Sequence, residues 1–591
     1  HLSIRRQRQM CIRDRFYIGE VATVSQICRC ASDCGIPLYL YLNESAFIMQ
    51  IWRKKSVEQT IAETMDGERH LKRTLNAWDL AVMGVAVAVG AGIFSVGAQA
   101  AAFHAGPAVI ISFIIAGIVC GSAAMCYAEF ASMIPVAGSA YTFTYTTVGE
   151  LIAWIIGWDM ILEMLMAGSV ISKYWGVYLN DLMKLFGLNM TTSFNLGGFT
   201  IDVAPIIIVA FFTTMLVLGT KLSARFDGAL TILKIGIVLF VVVVGFFYIK
   251  ASNFTPFVPP ATDAASVKGI EVSGVMAQPL WQWVTGMQPA VYGVPGILSG
   301  AALVFFAFIG FDVVATTAEE TKDPHKNIPR GIGLGLFIVT VLYILVAVVT
   351  TGMVSYKDLA KQAAPSLSTS FELVGATWAA KIISLGIVIG LTTVVMVLLL
   401  GLTRIIFAVS RDGLLPRSFS KVSKRGIPAR LQIVAGIVVA VVASTLDIGI
   451  LSDMVNIGTL SAFLLVSAGV PIMRMRRPDL HRSFSVPGNP WLPLFAALST
   501  FWLMLNLSVL TWIRFAVWLA IGFAVYFGYS YRNSLLGRQL RKAKQLGVPV
   551  ETLFAQDAAA AEKVAEGETE EQARAEAQAE ATAAASQDSQ N

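Results

Sequence analysis

The sequence predicts an all-α protein that crosses a membrane with about twelve helices. Hydrophobic residues make up 56% of the 591 residues, charged residues make up only 14%, and the mean hydropathy is +0.68. Soluble domains contain roughly a quarter charged residues. The apolar residues are gathered into runs of about 20, the length that crosses ~30 Å of hydrocarbon as a helix. Composition and run length together indicate a polytopic membrane protein.

The spans are located by the mean hydropathy of a window of about 19 residues. In chain order, the predicted spans are 78–98, 107–133, 150–180, 202–220, 228–250, 297–317, 330–354, 378–409, 430–446, 450–473, 490–510 and 512–531. Almost no loop separates the last two spans, so the boundary between them is the one that the sequence defines least clearly.

The chain carries a net charge of +6, and its basic residues gather in alternate connections between spans. The basic connections are 221–225, 322–330, 404–430, 474–482 and 532–544, whereas the loops 181–201, 251–296, 355–377 and 447–449 hold few lysines or arginines. This asymmetry predicts that the basic connections and both termini are cytoplasmic, in a plasma (inner) membrane. The same placement explains the positive charge without nucleic acid as a partner.

The two ends of the chain are expected to contribute little to the fold. Residues 1–48 have neither the apolar core of a signal peptide nor helical periodicity, and we interpret them as a doubtful or non-native segment before a cytoplasmic stretch at 49–77. Residues 532–591 are predicted to form a largely disordered cytoplasmic tail. Four of the six cysteines lie within 1–48 without the spacing of a metal site, so we expect neither a metal nor a cofactor.

Two spans are interrupted near their middle. The first contains Gly84, Gly90 and Gly92, each of which weakens a helix by roughly 1 kcal/mol relative to alanine. The sixth is interrupted by Gly310 and Asp312. Lipid tolerates such breaks only where the backbone lines a site, although close packing through small residues is an alternative for the glycines. Paired breaks in two halves of a transporter offer N–H groups to a carboxylate and carbonyls to an ammonium, and a free α-amino acid has both groups.

Several motifs occur in order along the spans. They are Gly-Ala-Gly-Ile-Phe at 90–94, Phe-Phe-Ala-Phe-Ile-Gly-Phe-Asp at 305–312, Ala-Glu-Glu at 318–320, Ile-Pro-Arg-Gly-Ile at 328–332 and Arg-Asp-Gly-Leu-Leu-Pro at 411–416. Together they resemble the amino acid/polyamine/organocation superfamily, and most of all bacterial members of the cationic amino acid transporter family. The resemblance implies inverted repeats of five spans at 78–250 and 297–473, an extracellular loop at 251–296 and two extra spans at 474–531. It also implies secondary active transport of amino acids by alternating access.

The resemblance further implies which residues contact the substrate. These residues are Val89, Gly90, Ala91, Gly92 and Ile93 in the first span, and Phe306, Ala307 and Ile309 in the sixth. Their backbone would hold the α-carboxylate and α-amino groups. Gly310 and Asp312 are expected to support the site, Asp312 as a cap of the second half-helix.

Lys234 and Glu163 are the ionisable residues expected to couple transport to protons. Lys234 lies roughly 9 Å into the fifth span, where a lysine facing lipid costs ~2.5 to 3.5 kcal/mol, so it should face the bundle. The resemblance implies that a lysine here stands where sodium-coupled relatives hold a sodium ion. Glu163, near the middle of the third span, is expected to pair with Lys234 or to meet a cationic substrate. A snorkelling or structural lysine and a structural ion pair are the alternatives.

The sequence therefore predicts a proton-coupled amino acid permease whose partners are the amino acid, protons and the lipid bilayer. An exchanger or antiporter, a polyamine transporter and a non-transporting amino acid sensor remain alternatives on the same fold. A membrane enzyme is disfavoured, because His70, His104, His325 and His481 lie in loops or at span ends and form no His-Glu-x-x-His motif. The sequence indicates neither which amino acid is carried nor an oligomeric state.

Overall fold

The computed structural model describes Arg53 and residues 75–546 apart from short gaps. The gaps are residues 91, 134–138, 189–192, 197–198, 219, 265–274, 289, 312–313, 315–320, 363–364, 424–426, 477, 479–481 and 483. Residues 1–52, 54–74 and 547–591 therefore lie outside the described residues, and with them most of what was predicted for the two ends. Of the predicted tail, residues 532–546 are described and are helical apart from Ser534. Within the described part, the fold is helical with two short antiparallel strand pairs.

The chain forms the following elements in order. The first helices are α1 (Ala77–Ala88), α2 (Gly97–Ala100), α3 (Val109–Met133), α4 (Ser139–Thr147), α5 (Glu150–Leu185), α6 (Val203–Leu218), α7 (Thr220–Phe246), α8 (Leu280–Thr285) and α9 (Gly293–Val304). They are followed by α10 (Pro324–Met353), α11 (Tyr356–Leu359), α12 (Leu367–Leu373), α13 (Thr377–Arg411), α14 (Ala429–Thr445), α15 (Ile448–Arg476), α16 (Trp491–Leu505), α17 (Val509–Val525), α18 (Tyr531–Asn533) and α19 (Leu535–Leu546). The strands are β1 (Ser193–Leu196), β2 (Phe199–Asp202), β3 (Thr262–Asp263) and β4 (Ala290–Val291), paired β1 with β2 and β3 with β4.

Apolar helices occur at each predicted span. In the described part of the chain, six helices are long and apolar enough to cross a membrane, and six more are apolar helices of 10–17 residues. The shorter group includes α1 and the helix at Gly293–Phe308, which are the first halves of the two spans predicted to be discontinuous. The predicted all-α polytopic fold is therefore confirmed.

The packing of the first ten spans repeats when each span is exchanged for its equivalent in the other half, that is span 1 for span 6, span 2 for span 7 and so on. α1 of span 1 packs on α10 of span 7, and α9 of span 6 packs in the same way on α3 of span 2. α5 of span 3 packs on α15 of span 10, as α13 of span 8 packs on α7 of span 5. Because each half has an odd number of spans, this equivalence agrees with two inverted five-span repeats.

Glycines allow α5 and α13 to cross closely at the centre of the bundle. A Cβ on Gly168 of α5 would lie 3.9 Å from Cβ of Leu398, and a Cβ on Gly401 of α13 would lie 3.2 Å from the Met164 sulfur. Small residues at a crossing let helix backbones approach each other in lipid, where packing replaces the hydrophobic effect as the attractive force. The two helices thereby pack closely against each other beside the broken spans.

On the side of the basic connections, Arg53 joins the segment before span 1 to spans 3 and 12. Its guanidinium donates to both carboxylate oxygens of Glu150, with Nε 2.8 Å from Oε2, and to the Tyr531 carbonyl at 3.0 Å. Glu150 is 0% exposed, and its Oε2 also accepts from the hydroxyls of Tyr145 at 2.7 Å and Ser534 at 2.5 Å. A buried charge pair is stable only when its remaining hydrogen-bonding capacity is met in this way.

Breaking this pair should destabilise the protein. In Glu150→Gln the Arg53 charge stays buried without its counter-ion, and removing one partner of a buried pair costs about 3 to 5 kcal/mol. The variant should therefore unfold at a clearly lower temperature in detergent, as followed by intrinsic fluorescence. The control is Asp358→Asn, which removes an exposed ion pair with Lys361 and should change stability by less than about 0.5 kcal/mol. Equal melting of the Glu150→Gln variant and the unmodified protein would contradict this account.

Candidate substrate and coupling site

The first span breaks directly after α1. Val89 leaves the helical conformation with φ −73° and ψ 82°, and the Gly90 amide donates to the Ala88 carbonyl at 2.8 Å. In an intact helix that amide would bond to the carbonyl four residues back. The chain resumes as a π-helical turn at Gly92–Val96. The break therefore leaves helix-end backbone groups to be satisfied by other partners.

The sixth span breaks after α9. The chain tightens into a 3₁₀ turn at Phe305–Phe308 and becomes extended at Ile309, with φ −65° and ψ 134°. Gly310 has φ +128°, which L side chains rarely adopt, and a Cβ there would lie 2.6 Å from Cγ1 of Val87 on α1. Glycine is therefore required at 310 both for the backbone conformation and for the close approach of span 1.

The two breaks lie against each other. A Cβ on Gly92 would overlap the Cα of Ala307, so the first span crosses the sixth with backbone against backbone. Tyr343, on α10, is fully buried beside both breaks, and its hydroxyl lies 2.6 Å from the Ala88 carbonyl oxygen and 2.5 Å from the Ala307 carbonyl oxygen. The hydroxyl of this one side chain, from span 7, thus lies within hydrogen-bonding distance of a freed carbonyl at each break.

A cavity of about 30 Å³ lies where the breaks meet spans 3 and 8. Its lining from the broken spans is Val87, Ala88, Gly90, Gly92, Phe306 and Ile309. Its opposite wall is Ala167 and Ile171 of α5 with Val394 and Leu398 of α13. The volume is about the share of one water molecule in the liquid, ~30 Å³. A larger ligand can enter only if the spans move apart.

The predicted substrate contacts divide into three groups. Gly90, Gly92, Phe306 and Ile309 line this central cavity. Val89, Ile93 and Ala307 are buried next to it, at 0%, 2% and 1% exposure, and they take part in the packing of the breaks. Ala91 lies outside the described residues, as does Asp312, which was predicted to support the site and not to contact the substrate. The backbone at the two breaks is therefore brought to one place, as the resemblance implied.

Lys234 reaches from span 5 to the end of α1. Its side chain is 1% exposed, and Nζ donates to the Ala86 carbonyl at 2.8 Å. Gly390 of α13 makes room for this side chain, because a Cβ there would lie 3.0 Å from Cγ of Lys234. The carbonyl end of a helix carries partial negative charge, which favours a cation at this position. Lys234 thus faces the bundle, next to the first break, as the sequence predicted.

Glu163 lies one helical turn from Ala167, on the same face of α5 and nearer to the basic connections. It is 2% exposed, and its Oε1 accepts from the Thr459 hydroxyl of α15 at 2.7 Å. One turn further along, Asp159 Oδ2 accepts from the Ser461 hydroxyl at 2.6 Å. The structure therefore gives Glu163 a hydrogen-bond partner on span 10 and Lys234 a hydrogen-bond partner on span 1. A pairing of Glu163 with Lys234 or with a cationic substrate stays a prediction.

Seven site residues escaped the sequence analysis. They are Val87 and Ala88 at the end of α1, Ala167, Ile171, Val394 and Leu398, which form the opposite wall of the cavity, and Tyr343, which joins the breaks. An aliphatic residue in an apolar helix has the same sequence signature whether it faces lipid, a neighbouring helix or a cavity. Tyr343 did carry a signal, because a hydroxyl in the middle of an apolar span requires a buried partner.

Comparisons with known proteins extend along the same part of the chain. Residues 75–535 match the family model for amino acid permeases. The chain is 41% identical to the branched-chain amino acid permease BcaP of Bacillus subtilis (strain 168), over 83% of this chain and 99% of that protein. It is 38% identical to the methylthioribose transporter of the same organism, again over 83% and 99%. It is 34% identical to the vacuolar cationic amino acid transporter 4 of Arabidopsis thaliana, over 72% of this chain and 67% of that protein.

The family match covers every span, and both breaks lie within it. The relatives are transporters and permeases, which agrees with a cavity built from helix breaks and apolar side chains. The chain therefore belongs to the amino acid permease family and is a multi-pass membrane transporter, not an enzyme.

Proposed function

We propose that this protein transports aliphatic amino acids, branched-chain ones in particular, across the plasma membrane by alternating access coupled to protons. The observation that carries the proposal is the central cavity. It joins the backbone groups of two helix breaks to a wall of aliphatic and aromatic side chains. Among the described residues that line it, none is charged.

The breaks suit the two charged ends of an amino acid. α1 ends at the cavity, and the partial negative charge of a helix C-terminus favours the substrate ammonium. Gly92 opens the next helical segment, and N–H groups at the start of such a segment favour a carboxylate. Gly90 and Gly92 both line the cavity, and at Gly90 no side chain separates the backbone from a ligand there.

The wall of the cavity suits an aliphatic substrate side chain. Phe306, Ile171, Val394 and Leu398 offer apolar contacts, and one methylene group in such a pocket is worth about 1 to 3 kcal/mol of discrimination. A cationic side chain placed among these groups would lose its hydration without a partner. The relative named as a branched-chain amino acid permease supports the same choice.

Lys234 is the proposed coupling residue. In its protonated form, Nζ donates to the Ala86 carbonyl and places a positive charge at the end of α1. Loss of the proton removes that charge and so weakens the attachment of α1 to span 5. A proton taken up on one side and released on the other would then bias α1 between two positions. Glu163, held by Thr459, is the second proton-binding group in this scheme.

The proposal is tested by uptake of tritiated L-leucine into proteoliposomes that contain the purified protein and carry an inward proton gradient. Leucine should accumulate above equilibrium, a protonophore should abolish accumulation, and unlabelled isoleucine and valine should compete better than lysine or methylthioribose. Uptake of lysine or methylthioribose without uptake of aliphatic amino acids would overturn the substrate assignment. Binding of leucine without accumulation would favour a sensor.

The Lys234→Ala variant tests the coupling step. It should lose leucine accumulation driven by the proton gradient, because the proton-binding group beside α1 is gone. The matched control is Lys250→Ala, which removes an exposed lysine just after α7 and should retain gradient-driven uptake. Unchanged accumulation in the Lys234→Ala variant would remove this lysine from the mechanism.

The Ala167→Leu variant tests the position of the substrate side chain. The larger residue occupies the wall opposite Phe306, so leucine uptake should fall about tenfold or more relative to alanine uptake. Ala210→Leu, on the exposed face of α6, is the control and should leave the ratio of leucine to alanine uptake unchanged. An unaltered ratio in the Ala167→Leu variant would place the substrate side chain elsewhere.

The Tyr343→Phe variant tests the junction of the two breaks. The Tyr343 hydroxyl has one proton for the Ala88 and Ala307 carbonyls, and Ala88 also accepts from the Gly90 amide. Loss of the hydroxyl therefore deprives chiefly the Ala307 carbonyl of a buried donor, which costs about 1 to 3 kcal/mol. The variant should melt at a lower temperature and bind leucine more weakly. Tyr248→Phe, at a half-buried tyrosine just after α7, should change neither quantity. Stability and leucine affinity equal to those of the unmodified protein would show that the hydroxyl is dispensable.

A further inference from the structure

We propose that the protein has a second binding site for its amino acid substrate, on the outer side, meaning the side away from the basic connections. This inference rests on the proposed function. The site is a cavity of about 200 Å³, called here the outer cavity, between the end of span 1, span 6, span 10 and two connecting segments. Its volume equals that of about six or seven water molecules at ~30 Å³ each, enough for one small amino acid.

Two connections are bonded together beside the outer cavity. The Leu280 amide donates to the Leu507 carbonyl at 2.9 Å, and the Val509 amide donates to the Gln278 carbonyl at 2.9 Å. The indole of Trp281 donates to the Asn506 side chain, also at 2.9 Å. The segment before span 6 and the connection between spans 11 and 12 therefore form a fixed wall of this cavity.

Buried polar atoms in the outer cavity have no partner within the described part of the chain. Asn456, on α15, is 0% exposed, and neither its Oδ1 nor its Nδ2 is hydrogen-bonded there. Gln282, on α8, is 2% exposed, and its Oε1 is likewise unpaired among the described residues. Burying a polar group without a hydrogen-bond partner destabilises the folded protein. A ligand that bonds to these three atoms would remove that destabilisation.

The remaining lining matches an α-amino acid. Among the described residues that line the outer cavity, Asp453 provides a carboxylate, and none is a lysine or arginine. One oxygen of the Asp453 carboxylate accepts from the Thr511 hydroxyl at 2.8 Å. Arg514 acts on Asp453 electrostatically from outside the lining. Asp453 and the two amide oxygens can accept hydrogen bonds from an ammonium group, while Nδ2 of Asn456 can donate to the ligand carboxylate. Leu303 and Val291 offer apolar surface to an aliphatic side chain.

The outer cavity lies next to the central cavity along span 6. Leu303 lines the outer cavity and Phe306 lines the central one, a separation of about 5 Å along the helix. In this conformation the central cavity, at about 30 Å³, has no room for an amino acid, whereas the outer cavity has. The outer site would therefore hold one substrate molecule before the spans open to admit it.

The test is the binding stoichiometry of tritiated L-leucine on the purified full-length protein, combined with uptake into proteoliposomes. The unmodified protein should bind about two leucines per chain, one in each cavity. Ala277→Trp, which fills the outer cavity from an exposed 3₁₀ turn, should bind about one leucine and show an apparent KM for uptake raised about tenfold. Met276→Trp, at the exposed neighbouring residue outside the lining, should behave like the unmodified protein.

A variant of the central cavity separates the two sites. Ala167→Trp should abolish transport yet still bind about one leucine, and adding Ala277→Trp should remove that remaining binding. If the unmodified protein transports leucine but binds only one molecule, and Ala167→Trp binds none, the outer site is overturned and the proposed function stands. If the unmodified protein neither binds nor accumulates leucine, the proposed function fails and this inference fails with it. Gln282→Leu, which keeps the cavity volume but removes its unpaired oxygen, provides a second variant that should also weaken the outer binding.

Discussion

The structure depends on how the backbone groups released by two helix breaks are satisfied inside a membrane. Lipid offers no hydrogen bonds, so a freed carbonyl must find a donor within the protein or in a ligand. Here the donors come from three directions. Tyr343 approaches the Ala88 and Ala307 carbonyls from span 7, Lys234 approaches the Ala86 carbonyl from span 5, and the Gly90 amide bonds back to Ala88. The breaks are therefore stable only because neighbouring spans supply hydrogen-bond donors to their freed carbonyls.

This constraint also explains why the breaks require glycine. A Cβ at residue 92 would overlap the backbone of Ala307, and a Cβ at residue 310 would collide with Val87. With glycine at both positions, spans 1 and 6 approach closely enough for one tyrosine hydroxyl to reach both carbonyls. At each of these two glycines, the space that a side chain would take is filled by the other broken span. The close packing of the two breaks therefore depends on both glycines.

The sequence predicted the spans and the breaks because both have strong local signatures. The length of an apolar run predicts a membrane span. Gly310 and Asp312, two residues apart in such a run, destabilise a helix in lipid, so they indicate a break where the backbone lines a site. The cavity wall could not be predicted in this way. Ala167, Ile171, Val394 and Leu398 are ordinary residues of apolar helices, and only the crossing of α5 with α13 turns them toward the breaks. The partner of Glu163 was also hidden, because Thr459 lies almost three hundred residues later in the chain.

Two kinds of structure line the central cavity. The broken spans contribute mainly backbone, and their geometry is fixed by contacts at Gly92, Gly310 and Tyr343 that tolerate little change. Spans 3 and 8 contribute side chains whose size can change without disturbing the breaks, because α5 and α13 are continuous helices. In the transport proposed above, the groups common to all α-amino acids meet the backbone of the broken spans. The distinguishing side chain then meets spans 3 and 8, where a substitution can alter selectivity and leave the two breaks in place.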